Sequence, residues 1–121
     1  MLEIEMEPEV REWLDTLTDP ELTRVATIVE RLHNEGVMLG MPRAKPLGDG
    51  LRELRFDLGN KAVRITYWIR DDTAVLLTVF RKTRDNEHRQ VERARQAMKV
   101  CDAQCEGDPE HTYTRRPLEE D

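Results

Sequence analysis

Three stretches, LRELRF (Leu51–Phe56), AVRITYWI (Ala62–Ile69) and AVLLTVF (Ala74–Phe80), are separated only by DLGNK and RDDT. β-Branched and aromatic residues dominate the last two, and turn residues bound all three, so each reads as a strand. Links this short allow only antiparallel neighbours, because parallel strands need a crossover of about a dozen residues or more. The rest of the chain must pack around this antiparallel meander.

The first part of the chain supplies the packing partner. Leu2 and Ile4 alternate with Glu3 and Glu5, which suits a short edge strand. From Pro8 the period changes: Val10, Trp13, Leu14 and Leu17 recur at helical spacing. TDPE then reads as a stop and restart, with Thr18 and Glu21 forming a capping box or Asp19 capping ahead of Pro20. Leu22, Val25, Ile28, Val29 and Leu32 make the apolar stripe of a second helix, which Gly36 ends. Two helices with so short a link predict an antiparallel helical hairpin. The segment from Gly36 to Gly50, broken by Gly40, Pro42, Pro46 and Gly48, reads as a loop. A last helix carries Val91, Ala94 and Met98 on one face, with Asp85 or Asn86 as its cap. The sequence therefore predicts an α+β domain over residues 1–100. In it the N-terminal hairpin covers one face of a four-stranded, mainly antiparallel sheet, a helix follows, and the other face is left for something else. Residues 101–121, acidic and carrying Gly107, Pro109 and Pro117, read as a disordered tail.

Composition narrows the chemistry. There is no serine, so a serine nucleophile is excluded, and no GxGxxG or GxxxxGK[ST] phosphate loop exists; GDG at 48–50 lacks the context of one. Cys101 and Cys105, with only His111 nearby, fall short of a four-ligand zinc site and read as reduced thiols in the tail. No metal or cofactor is expected. No apolar run is long enough to span a membrane and MLEIEMEPEV does not resemble a signal peptide, which leads to the expectation of a cytoplasmic protein. The net charge of −6 hides an asymmetry. Lys/Arg against Asp/Glu stand at 3 to 10 in residues 1–41, 14 to 8 in residues 42–100 and 2 to 7 in residues 101–121. A basic middle between acidic ends suggests an anionic partner for the middle, although a mixed surface with chance clustering fits the charge count equally well.

The period of two puts Arg64, Thr66 and Trp68 on one face of their strand and Val63, Ile65, Tyr67 and Ile69 on the other. Arg64 must therefore meet an acid or face a groove. Arg52 and Arg55 point to opposite faces, so at most one joins Arg64, and Glu53 can neutralise either. VFRKTRDNEHRQ adds Arg81, Lys82, Arg84, His88 and Arg89 where the last strand gives way to the helix. A strand end followed by a helix N-terminus favours anions, and arginine and lysine there suit phosphate. Histidine can move a proton near neutral pH, so cations with one histidine suffice to cleave RNA through its own 2′-OH. The alternatives are a solvated surface histidine and proton transfer through Lys82.

AKPLGDGLRELRF, KAVRITYWI and AVLLTVFRKTRD, in that order ahead of a charged helix, resemble the HigB-like, phage-derived branch of the RelE/ParE toxin superfamily. The resemblance covers roughly residues 10–100. It implies a RelE-like fold and the toxin of a type II toxin–antitoxin system. Such a toxin is a ribosome-dependent, metal-independent mRNA endonuclease inhibited by a helix-turn-helix antitoxin. By position it implies His88, Lys82, Arg81 and Arg64 as catalytic, and Arg55 and Lys45, with Arg84 and Arg89 of the basic cluster, as RNA-binding. Related RNases often carry lysines where this chain has Leu51 and Glu53, and the superfamily also includes gyrase poisons of the ParE kind and permits a non-catalytic interaction module.

Overall fold

The computed structural model describes residues 1–104. Its elements run β1 (Glu3–Met6), α1 (Pro8–Leu14), α2 (Asp19–Glu35), a short 3-10 turn (Gly36–Met38), β2 (Ala44–Gly48), β3 (Leu51–Leu58), β4 (Lys61–Arg70), β5 (Thr73–Arg81) and α3 (Glu87–Gln104). The strands form one α+β sheet in the order β1-β5-β4-β3-β2.

The sheet departs from expectation in having five strands rather than four and in being mixed. β3, β4 and β5 form the predicted antiparallel meander, but β1 lies parallel to β5, with Glu3 opposite Thr73. The long connection between them permits this. The extra strand, β2, comes from the segment read as a loop. Its proline is tolerated because β2 bonds to β3 on one side only, as a proline in a sheet requires. The GDG motif is the turn between these two strands, with Asp49 and Gly50 at positive φ (57° and 87°), the hairpin use of such residues. Arg95 of α3 holds this turn by donating to the carbonyls of Leu47 (3.0 Å) and Gly48 (3.2 Å) and to Asp49 Oδ2 (3.2 Å).

On one face, Val10, Leu14, Val25, Ile28, Val29 and Leu32 of the two N-terminal helices share a core with Leu54, Phe56, Val63, Ile65, Tyr67 and Leu76. α1 stops at Leu14, a turn short of Leu17. α2 starts on the capping box: Glu21 N–H donates to Thr18 Oγ1 (3.3 Å) and Thr18 N–H to Glu21 Oε1 (3.0 Å). Gly36 ends it at φ 55°, a conformation costly for residues with a Cβ. β1 is tied to the end of α2 through Leu2 N–H to the His33 carbonyl (2.9 Å) and through the His33 ring to the Leu2 carbonyl.

The other face is not wholly open, because α3 covers part of it. Ala94, Met98 and Cys101 pack with Leu51, Val75 and Leu77, flanked by Trp68 and Leu47. Cys101 is thus a buried, disulfide-bonded residue of α3 rather than a reduced thiol in a tail. Cys105, His111 and the rest of the expected tail, residues 105–121, lie outside the described residues. β1 covers β5 only as far as Leu76. Beyond it, Glu9 of α1 accepts from Val79 N–H (3.0 Å) and pairs through both oxygens with Arg93 of α3 (2.6 and 2.9 Å), a clamp over the remaining sheet edge.

Candidate nucleic-acid interface

Beside the patch that α3 covers, the same face of the sheet carries a charged strip. Strand register assembles it: Arg55 lies opposite Arg64, Glu53 opposite Thr66, and Lys45 opposite Glu53. Two arginines facing each other across neighbouring strands repel. Glu53 offsets this, its Oε2 standing 3.9 Å from the Nε of both Arg55 and Arg64. Its side chain is 1% exposed, and that of Arg64 is 9% exposed. Arg64 Nη1 donates to the Val63 carbonyl (3.0 Å), whereas both arginine Nε atoms and Glu53 Oε1 have no hydrogen-bond partner in the protein. Desolvation pushes the Glu53 carboxyl above its ordinary range and Glu87 adds to this, while Arg64, Lys45 and Arg55 oppose it.

Glu87, the first residue of α3, lies between two further cations, 3.7 Å from Lys45 Nζ and 3.6 Å from Lys82 Nζ. Asn86 shapes the segment that brings Lys82 there. Its side chain donates to the Arg81 carbonyl (2.9 Å) and accepts from Thr83 N–H (2.9 Å), so it organises the loop ahead of the helix. Four cations therefore meet two carboxylates on the strip, a balance of +2 with both acids ionised and +3 with Glu53 protonated. The positive end of the α3 dipole adds to that balance. Thr66 and Thr78 close the strip on its apolar side, their hydroxyls 2.6 Å apart.

Residues 12–99 match the model of a family described as phage derived protein Gp49-like (DUF891). The chain belongs to this family. The match runs from α1 into α3 and includes every residue of the charged strip. Gp49-like proteins are known as a toxin type akin to RelE and HigB, which supports the superfamily loosely and does not single out HigB. No curated protein matches the chain.

In this Gp49-like protein, four of the eight residues singled out from sequence come together: Lys45, Arg55, Arg64 and Lys82. His88, Arg84 and Arg89 stand exposed around the start of α3, His88 next to Glu87. Arg81 does not join them. It lies opposite Val63, whose side chain is in the helical-hairpin core, and it lines a separate groove of about 280 Å³ with Trp13, Leu17 and Lys61. The reason is the strand period: Phe80 takes the position across from Arg64, so its neighbour points the other way. Glu53 meets Arg55 and Arg64 together, where the sequence had it neutralise either one, and Glu87 is the functional residue the sequence did not reveal. Glu53 was legible from its place beside the strand arginines, but Glu87 gave no signal, since its contacts depend on where α3 lands.

Among the described residues no three His, Cys, Asp or Glu side chains gather as around a metal ion, and no helix is long and apolar enough to cross a membrane. The strip offers paired guanidinium groups and two ammonium groups, a set suited to gripping a phosphodiester, and the exposed His88 follows Glu87 in sequence.

Proposed function

We propose that this Gp49-like protein is the toxin of a toxin–antitoxin pair and acts as a metal-independent endoribonuclease on mRNA in the ribosome, restrained by a helix-turn-helix antitoxin. The observation that carries this reading is the convergence of Lys45, Arg55, Arg64 and Lys82, from four separate segments, onto one face, with the exposed His88 next in sequence to Glu87. In this mechanism the substrate 2′-OH attacks the adjacent phosphorus. The P–O2′ bond forms as the P–O5′ bond breaks, and the 2′-OH proton leaves to water. Arg55 and Arg64 face the non-bridging oxygens, where negative charge develops, and fixed donors at such positions lower the barrier most. Lys45 and Lys82 add charge as they turn from Glu87, and His88 gives a proton to the leaving 5′ oxygen.

Brief induction in cells followed by mapping of transcript 5′ ends tests the reading. The expected result is growth arrest with new 5′ ends confined to translated frames and chromosomal DNA intact. Arrest with an unchanged transcript map overturns it, and DNA breaks in place of RNA ends mark a gyrase poison.

A further inference from the structure

A carboxylate is a poor neighbour for an incoming phosphate, yet Glu53 is the least exposed charged residue of the strip. Its surroundings suggest what it does there. Arg55 and Arg64 face each other with like charge, and Glu53 Oε2 lies equally far, 3.9 Å, from both. That distance is an ion contact without a hydrogen bond, so both Nε donors remain unspent although they are buried. Donors left this way are suited to a ligand anion. The groups facing Glu53 are Lys45 from β2, Arg55 from β3, Arg64 from β4 and Glu87 from α3. Thr66, directly opposite, is engaged with Thr78.

We propose that Glu53 is the positioning residue of the strip: as a carboxylate it holds Arg55 and Arg64 together in the free protein, and on phosphodiester binding it takes up one proton from the buffer and releases both guanidinium groups to the phosphate. This rests on the strip being where RNA binds. The phosphate places a second negative charge beside a buried acid, and like charges favour the protonated form. The burial that already raises the Glu53 carboxyl acts in the same direction. Binding coupled to one proton tightens by up to about tenfold for each pH unit lowered.

A short 2′-O-methyl oligouridylate serves as probe, because it lacks the 2′-OH nucleophile and does not titrate between about pH 5 and pH 8. The full chain carries His88→Ala, which removes the imidazole assigned to proton transfer at the strip. At fixed pH, adding the probe moves the Glu53 side-chain carboxyl carbon-13 signal toward its protonated position and shifts the Nε–Hε signals of Arg55 and Arg64 together. By fluorescence anisotropy, affinity rises at least about tenfold from the top to the bottom of this range, and adding Glu53→Gln flattens the rise to within about twofold. A stationary carboxyl signal, an affinity that ignores pH, or a slope that survives Glu53→Gln overturns the proposal. The carboxyl signal needs no Glu53 variant, so it decides even if Glu53→Gln fails to fold. Coupled binding, with ribosomal mRNA left uncut by wild type, refutes the nuclease reading alone. Cleavage with uncoupled binding refutes Glu53 alone, and no binding at any pH overturns the Glu53 proposal.

Discussion

Glu53 and Glu21 illustrate how one residue type acquires opposite roles. Glu53 has its carboxyl raised above the ordinary 4.5, chiefly by burial. Its folded state therefore binds the proton more tightly than the unfolded chain does. The stability it contributes is fully present below 4.5 and is lost as pH rises through its raised folded value. Glu21 is lowered from 4.5, first because its carboxylate accepts the Thr18 N–H, so its contribution is present above 4.5 and lost as pH falls. Thermal melts of wild type and Glu53→Gln across this range should show the wild type losing ground to the variant as pH rises above 4.5, and a constant difference would contradict the assignment. Arg64→Ala leaves the Glu53 carboxylate buried with one partner fewer, a change that typically costs about 3–5 kcal/mol. Urea denaturation should register a loss of that order, and combining Arg64→Ala with Glu53→Gln should restore part of it.

The helices and the meander were legible because each carries its own period. The capping box at Thr18 and Glu21 and the glycine stop at Gly36 stand where the residues indicate. Thr18→Ala should destabilise the protein by about 1 kcal/mol, read as a shift in the denaturation midpoint with an unchanged slope. β2 was not legible. Pro46 and Gly48 are breakers in isolation, and only pairing with β3 makes their segment a strand, which is a property of the partner. The position of Arg81 was legible and overlooked: adjacent residues at a strand end cannot both face Arg64, and Lys82 has the parity of Phe80. The Glu9–Arg93 clamp joins residues 84 positions apart, so no local pattern announces it. Both side chains are over a third exposed, 36% and 44%, so solvent screening discounts the pair. Arg93→Ala should cost no more than about 1 kcal/mol while speeding hydrogen exchange at the Val79 amide.

At the scale of the whole molecule, an acidic chain of net charge −6 brings Lys45, Arg55, Arg64 and Lys82 together on one side of a sheet whose other side is filled by two helices. On the proposed function this face holds RNA through phosphate contacts, so the affinity of wild type for single-stranded RNA should fall steeply with salt, and Lys45→Ala should reduce that slope by about 0.7. On the proposed function this face cuts mRNA, and single-turnover cleavage on programmed ribosomes, comparing wild type, His88→Ala and Arg81→Ala, decides whether it does. Wild type should cut efficiently, His88→Ala should lose about 10²–10⁴ in rate, and Arg81→Ala, which faces away, should cut at a rate close to wild type. Cleavage by His88→Ala within about threefold of wild type, or none by wild type itself, would contradict it.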